Sequence, residues 1–174
     1  MSSEPQAQQD PNPCPKVEPT TEHAWLQKFV GEWTYECEAM MGPGQPTAKF
    51  TGTESVRAIG EVWVQGEGRG ETPGGSQAIN IITLGYNPQT KRFVGTFVSS
   101  MMTHLWIYDG ELDESGRVLT LEAEGPDFTN PGAMVTYRDV VELVDDDHRV
   151  LRSQAPGPDG TWVEFMTGHY HRVK

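Results

Sequence analysis

The amino-acid sequence predicts an all-β fold, a single antiparallel up-and-down β-barrel of roughly ten strands preceded by one short helix. Three observations lead to this prediction. Apolar and polar residues alternate through most of the chain after residue 31, Gly, Pro, Asn and Asp interrupt the alternation at fairly regular intervals, and no helical pattern separates the interrupted segments. Because consecutive hairpins build a meander, and closing a long meander removes both exposed edges, the pattern favours a barrel.

The first predicted element is a short helix over Glu22 to Val30. Trp25, Phe29 and other apolar residues of this segment fall close to one helical face, a threonine just before it can cap its start, and Gly31 ends it. Between two later strands, Gly116 ends a turn in which glycine can take the left-handed conformation of a bulged hairpin. The predicted strands cover residues 32–41, 47–59, 62–71, 78–86, 92–99, 104–112, 118–124, 134–144, 148–154 and 161–173.

The chain divides into a tail and one domain. Residues 1–20 are rich in Pro and Gln and nearly free of large apolar side chains, so we expect disorder there, and residues 21–174 form the barrel domain. The tail lacks the apolar stretch of a signal peptide, no segment is apolar for long enough to cross a bilayer, and Cys14 and Cys37 are too few for a disulfide framework. These features predict a soluble cytoplasmic protein.

The composition narrows the partners. A net charge of -12 repels phosphate backbones and anionic lipids, so we expect neither nucleic acid nor membrane as a partner. A barrel of about ten strands is wide enough that side chains need not fill it, which leaves room for a small-molecule ligand. A homo-oligomer stays open, and the sequence predicts no cofactor and no metal site.

Glycines alternate along one face of the third predicted strand, at Gly66, Gly68 and Gly70. This pattern is typical of a strand that coils sharply or that another backbone approaches closely. Because no helix follows, it is not a nucleotide-binding loop.

Met101 and Met102 occupy a hairpin tip where Gly, Asn, Asp or Pro is usual. Methionine adapts to irregular apolar shapes, so this pair suits the rim of a hydrophobic cavity, with the mouth formed together with the Glu22 to Val30 helix. The alternative is that both methionines pack under that helix as ordinary core.

The ligand-binding candidates lie around this tip. His104, Trp106 and Tyr108 share one face of a strand and Leu105 and Ile107 the other, and the pattern leaves open which face points inward. We predict that His104 and Trp106 point inward. The full set of predicted ligand-binding residues is Trp63, Phe97, Met101, Met102, His104, Trp106 and His169.

Charged residues within predicted strands need partners if they face inward. They are Glu54, Arg57, Arg138, Asp139 and Arg152. Because neighbouring strand residues face opposite ways, only one of Tyr137 and Arg138 can line the cavity. His169 and His171 share a face, but two nitrogens are too few for a metal without a third ligand brought in across the barrel.

The triplet Gly31-Glu32-Trp33, which follows a short helix and opens the first strand, resembles the Gly-x-Trp signature of the calycins, the superfamily of lipocalins and fatty-acid-binding proteins. In those folds a basic residue near the last strand packs on the tryptophan, and Arg172 is the matching position here. The segments HAWLQKFVGEWTYE, ITLGYNPQTKRFVGTF, SSMMTHLWIYDGELD and FMTGHYHR resemble the bacterial domain-of-unknown-function family 1579. That resemblance implies a calycin-like barrel and no known activity.

Four functions are compatible with such a barrel. The leading hypothesis is a small-molecule-binding protein with an apolar or amphipathic ligand. The second is an enzyme that uses His104 or His169 as a general acid or base in an apolar pocket. The third is a haem-binding barrel of the nitrobindin type, in which one histidine binds the haem. His169 is the candidate axial ligand. The fourth is a structural or interaction barrel whose core is filled by Trp63, Phe93, Phe97 and Trp106.

Overall fold

The computed structural model describes residues 17–40, 42, 45–72 and 74–174. Helix α1 spans Thr21–Leu26 and continues into a turn of 3-10 helix at Gln27–Phe29. The strands are β1 (Gly31–Met40), β2 (Thr47–Ile59), β3 (Trp63–Glu71), β4 (Gln77–Asn87), β5 (Arg92–Ser99), β6 (Trp106–Leu112), β7 (Val118–Pro126), β8 (Met134–Leu143), β9 (His148–Pro156) and β10 (Trp162–Arg172). Most of the tail for which we expect disorder, residues 1–16 with Cys14, lies outside the described residues.

The strands form one closed barrel in which each pairs antiparallel with its neighbours in sequence, and β1 pairs with β10 to close the sheet. This confirms the predicted up-and-down barrel. Gly116 has a φ of 68°, as expected for the left-handed position of its turn. Strand β6 begins at Trp106, later than predicted, because His104 and Leu105 belong to the connection that follows β5. Among the described residues, the helices are too short and too polar to span a bilayer.

Helix α1 closes one end of the barrel. The indole nitrogen of Trp25 donates to the carbonyl of Gly116, 2.7 Å away in the turn between β6 and β7, and Nε2 of His23 lies 3.0 Å from the carbonyl of Tyr86 near the end of β4. Apolar side chains from the helix and the strands fill this half of the barrel. They include Trp25, Leu26, Phe29, Trp33, Val56, Val64, Leu84, Phe93, Leu119, Leu121, Val141 and Leu143.

The predicted joint mouth of α1 and the methionine tip is wrong. Strand β5 begins at the closed end and runs to the opposite end, so Met101 and Met102, which follow it, lie at the other end of the barrel from α1. The alternative that these methionines pack under the helix is wrong for the same reason. Alternation and turn residues predict the strand order, but they do not indicate which end of the barrel the helix covers.

Trp33 connects the first strand of the barrel with the end of the last strand. Its side chain is 1% exposed, its Nε1 donates to the carbonyl of Phe29 at 2.8 Å, and the guanidinium of Arg172 lies 4.2 Å from its ring centroid. Arg172 also donates to the carbonyls of Val30 and Lys28, at 2.7 and 2.8 Å. The predicted cation–π contact between Trp33 and Arg172 is thus confirmed.

Gly31 makes this closure sterically possible. Its φ of 140° lies in the region that side chains avoid, and the guanidinium of Arg172 occupies the space that a Cβ atom would take. The Gly-x-Trp pattern therefore has a physical reason, since the glycine admits the arginine that covers the tryptophan.

We expect Arg172→Ala to lower the free energy of unfolding by about 3 kcal/mol, because it removes a cation–π contact and several charge-assisted hydrogen bonds to backbone carbonyls. Urea denaturation followed by tryptophan fluorescence measures this change. Arg57→Ala is the control, because Arg57 is exposed and, among the described residues, its side chain bonds only to that of Gln65. A loss at Arg172 no larger than the loss at Arg57 would contradict the assigned role.

Candidate functional site

The open half of the barrel contains a cavity of about 270 Å³. A smaller cavity of about 80 Å³ lies next to it, deeper toward the closed end. The two share a ring of wall residues, which are Glu54, Phe97, Tyr108, Asp139, Leu151 and Tyr170. The interior is therefore mostly packed at one end and hollow at the other, and the two cavities adjoin at this ring.

Glycines on β2 and β3 leave space inside the barrel for the side chain of Tyr35 and for part of the cavity. Gly68 lines the larger cavity, and a Cβ atom at Gly52 or Gly70 would overlap the hydroxyl of Tyr35, which fills the space beside them. The alternating glycines of β3 are predicted to mark sharp coiling of the strand or the close approach of another backbone. They face inward, and the side chain of Tyr35 lies against Gly70.

Apolar and aromatic residues surround the mouth. Met101 and Phe128 are 59% and 72% exposed, and the indole nitrogen of Trp106 lies 3.0 Å from the sulfur of Met102. The ring of Tyr137 meets that of Trp106 edge-on at 5.1 Å and that of Phe128 at 6.0 Å. Aromatic surface thus continues from the exposed rim into the cavity.

A carboxylate lies in the wall where the two cavities meet. Asp139 accepts hydrogen bonds of 2.5 Å from the hydroxyl of Tyr108 and of 2.5 Å from the hydroxyl of Ser153. Burial raises the pKa of Asp139 above its ordinary value, although both hydrogen bonds oppose that shift. Burial and the neighbouring carboxylate raise the pKa of Tyr108 well above its ordinary value, so the phenol keeps its proton.

The second charged group of the interior is a buried ion pair. Arg149 donates to the carboxylate of Glu54, and its guanidinium lies 4.9, 4.5 and 4.6 Å from the ring centroids of Phe29, Trp33 and Tyr170. Burial lowers the pKa of Arg149 to about 10, so the group stays protonated at neutral pH. This cation therefore has its counter-charge within the protein.

Cys37 also lines the cavity, but its thiol is a poor nucleophile. Burial raises the pKa of its thiol to about 11, so the thiolate that nucleophilic attack requires is scarce at neutral pH.

Four of the predicted ligand-binding residues line the cavity, namely Phe97, Met101, Met102 and Trp106. Trp63 lies outside, where it is 37% exposed and packs over Gly85. His104 sits at the rim, with Nε2 2.9 Å from the carbonyl of Glu124 and its ring edge-on to Trp106, and it is not among the lining residues.

His169 lies on the outer face of the barrel. Its Nδ1 is 3.1 Å from Nε2 of His148, whose ring stacks on that of His171 with centroids 4.5 Å apart. Burial, followed by the charges of His171 and His169, lowers the pKa of His148. Stacked rings do not converge on one point, and within the described ranges no group of three His, Cys, Asp or Glu side chains could hold a metal ion.

Sequence reasoning named some of the polar interior and missed the rest. It singled out Glu54 and Asp139 as strand charges in need of a partner, and both face inward. It did not name Arg149 or Ser153, which alternate with Leu151 on the inward face of β9. Alternation with Leu151 was the available signal.

We expect Asp139→Asn to remove a pH-dependent cost of folding. Because the folded pKa of Asp139 is raised, wild-type stability from this group is present below the ordinary Asp pKa and is lost as pH rises through the folded pKa. The free energy of unfolding of the variant relative to wild type should therefore increase as the pH rises from the ordinary Asp pKa through the raised pKa of the folded protein, as urea denaturation would show.

Asp113→Asn is the control of opposite sign. Hydrogen bonds, chiefly from Ser115, lower the pKa of Asp113, so its contribution is present above the ordinary pKa and is lost as pH falls. If the relative stability of the Asp139 variant fell with rising pH, as expected for Asp113, the assigned environment of Asp139 would be wrong.

Two solved structures share this fold at low sequence identity. The S-type phycobiliprotein lyase of Guillardia theta is 11% identical, with 89% of this chain and 94% of that chain covered and a TM-score of 0.63. Rv2717c from M. tuberculosis is 12% identical, with 90% of this chain and 100% of that chain covered and a TM-score of 0.63. At such identities these likenesses show the fold alone, a closed antiparallel β-barrel.

No curated protein sequence matches the chain. One family model does match, over residues 18–172, which is nearly the whole described part. The chain therefore belongs to the family described as Protein of unknown function (DUF1579).

Proposed function

We propose that this protein binds a small apolar or amphipathic molecule inside its barrel. The observation that carries the proposal is a largely apolar cavity of about 270 Å³ that opens at one end and has a few polar groups in its wall. Ligand sites typically combine apolar walls with a few placed polar groups, and Asp139 with Tyr108 and Ser153 forms such a group.

The size and rim of the cavity indicate the kind of ligand. A volume just below the range of about 300 to 1,000 Å³ that holds drug-sized molecules suits a compact ligand. Met101 and Met102 at the mouth can adjust their rotamers to a ligand that passes them, since methionine is flexible and polarizable.

The other functions considered from the sequence receive less support. A filled structural core is not favoured, because Phe93 packs in the closed half while the open half stays hollow. A histidine acid or base, or a histidine-ligated haem, needs an imidazole in the cavity. Among the described residues, no histidine lines either cavity, and His104 and His169 lie at the rim and outside.

The proposal is tested with prodan, a neutral dye whose emission shifts to the blue in apolar surroundings. Asn80 points into the larger cavity from β4, so Asn80→Phe should fill part of it and weaken prodan binding about tenfold or more. Fluorescence titration gives the dissociation constant, and circular dichroism checks that the barrel is intact.

Gln77→Phe is the matched control, since Gln77 lies on the same strand but on its exposed outer face. It adds the same phenyl ring outside the cavity and should leave prodan binding unchanged. An absence of saturable prodan binding to wild type, or an equal loss in both variants, would count against a ligand in the barrel.

A further inference from the structure

We propose that the cavity selects organic cations, with a protonated amine or quaternary ammonium group placed against Asp139 and an apolar body directed toward the mouth. This inference rests on the proposed function, because it names the ligand class of the same cavity. It comes from the charges of the cavity wall, the hydrogen bonds of Asp139 and the aromatic lining.

The cavity wall contains one carboxyl group, that of Asp139, which has no cationic partner among the described residues. Glu54, Asp139 and Arg149 are the charged residues that line the two cavities within the described part of the chain, and Glu54 and Arg149 neutralise each other. Asp139 receives hydrogen bonds from two neutral hydroxyls and from no described cationic side chain. A buried carboxylate without a counter-ion is costly, and a ligand cation would supply that counter-ion.

Asp139 also has hydrogen-bonding capacity to spare. A carboxylate offers about four lone-pair positions, and the hydroxyls of Tyr108 and Ser153 use two of them. Because Asp139 lines both cavities, the remaining positions are available to a ligand at their junction. An ammonium group has N–H donors for such positions, and a quaternary ammonium would still pair electrostatically.

The aromatic lining suits a cation as well as an apolar body. Rings present a negative face to cations, and aromatic groups around one site are a common way to hold an ammonium. The aromatic residues that line the larger cavity include Tyr35, Phe97, Trp106, Tyr108, Tyr137 and Tyr170. The same chain already holds the guanidinium of Arg149 against three rings.

A carboxylate ligand would meet the opposite conditions. It would bring a further negative charge close to Asp139 and Glu54, and the charge of Arg149 is already neutralised by Glu54. The net charge of -12 also raises the local concentration of cations and repels anions. Arg138, which lies next to inward Tyr137, gives no help because it pairs with Glu122 on the outer face.

The test compares three probes with one phenyl ring and similar length, namely phenethylamine, phenethyl alcohol and phenylacetate. Each displaces prodan from the wild-type protein in a competition titration at neutral pH, where the amine is protonated. We expect the amine to bind more tightly than the alcohol, and phenylacetate to bind most weakly. Asp139→Asn should weaken the amine about tenfold or more and change the alcohol little.

Glu114→Gln is the matched control, because it removes the same unit charge from an exposed turn at the closed end. It should leave the preference for the amine unchanged. If prodan and the alcohol bind but the amine has no advantage, or if its advantage survives in Asp139→Asn, the cation assignment is wrong and the ligand cavity stands. If no probe and no prodan bind to wild type, the proposed function itself fails. Circular dichroism checks that Asp139→Asn is folded, independently of any binding.

Discussion

The packing of two guanidinium groups against Trp33 is the interaction on which the closed end depends. Arg172, partly exposed, joins the end of β10 to the carbonyls of the segment after α1. Arg149, buried, lies against the same indole and reaches Glu54 and Tyr170 in the cavity wall. Trp33 therefore contacts both the arginine that ties β10 to the segment after α1 and the arginine that reaches the cavity wall. The wall of the hollow half thus depends on packing in the closed half.

The two charged groups Arg149 and Asp139 have different kinds of partner inside the barrel. Arg149 has a carboxylate and three aromatic faces, which together offset the loss of water around a buried guanidinium. Asp139 has hydroxyls only, and its raised pKa reports an environment that disfavours its charge. Groups kept at a cost to stability are typical of binding sites, where a ligand removes that cost. This contrast is why we place the proposed ligand cation at Asp139 rather than at the better-partnered Arg149.

Much of the architecture could be predicted from the sequence, because strand alternation and turn residues act locally. The contact of Trp33 with Arg172 could also be predicted, since Gly31-Glu32-Trp33 and the last strand meet in any barrel that closes. Which face of a strand points inward could not be predicted. Ile107 is 65% exposed while Tyr108 lies inside, so hydrophobicity alone gives the wrong sign at this point of β6.

The reason for this failure is physical and is informative about the site. A dry core demands apolar side chains on the inward face, and the closed half obeys this rule through residues such as Leu119 and Leu121. The open half places Asn80, Asp139 and Ser153 inward instead, where they cannot be packed against hydrocarbon without cost. Sequence rules are expected to break where a fold serves a ligand. The polar residues on the inward faces of β4, β8 and β9 are therefore the sequence feature that corresponds to the cavity.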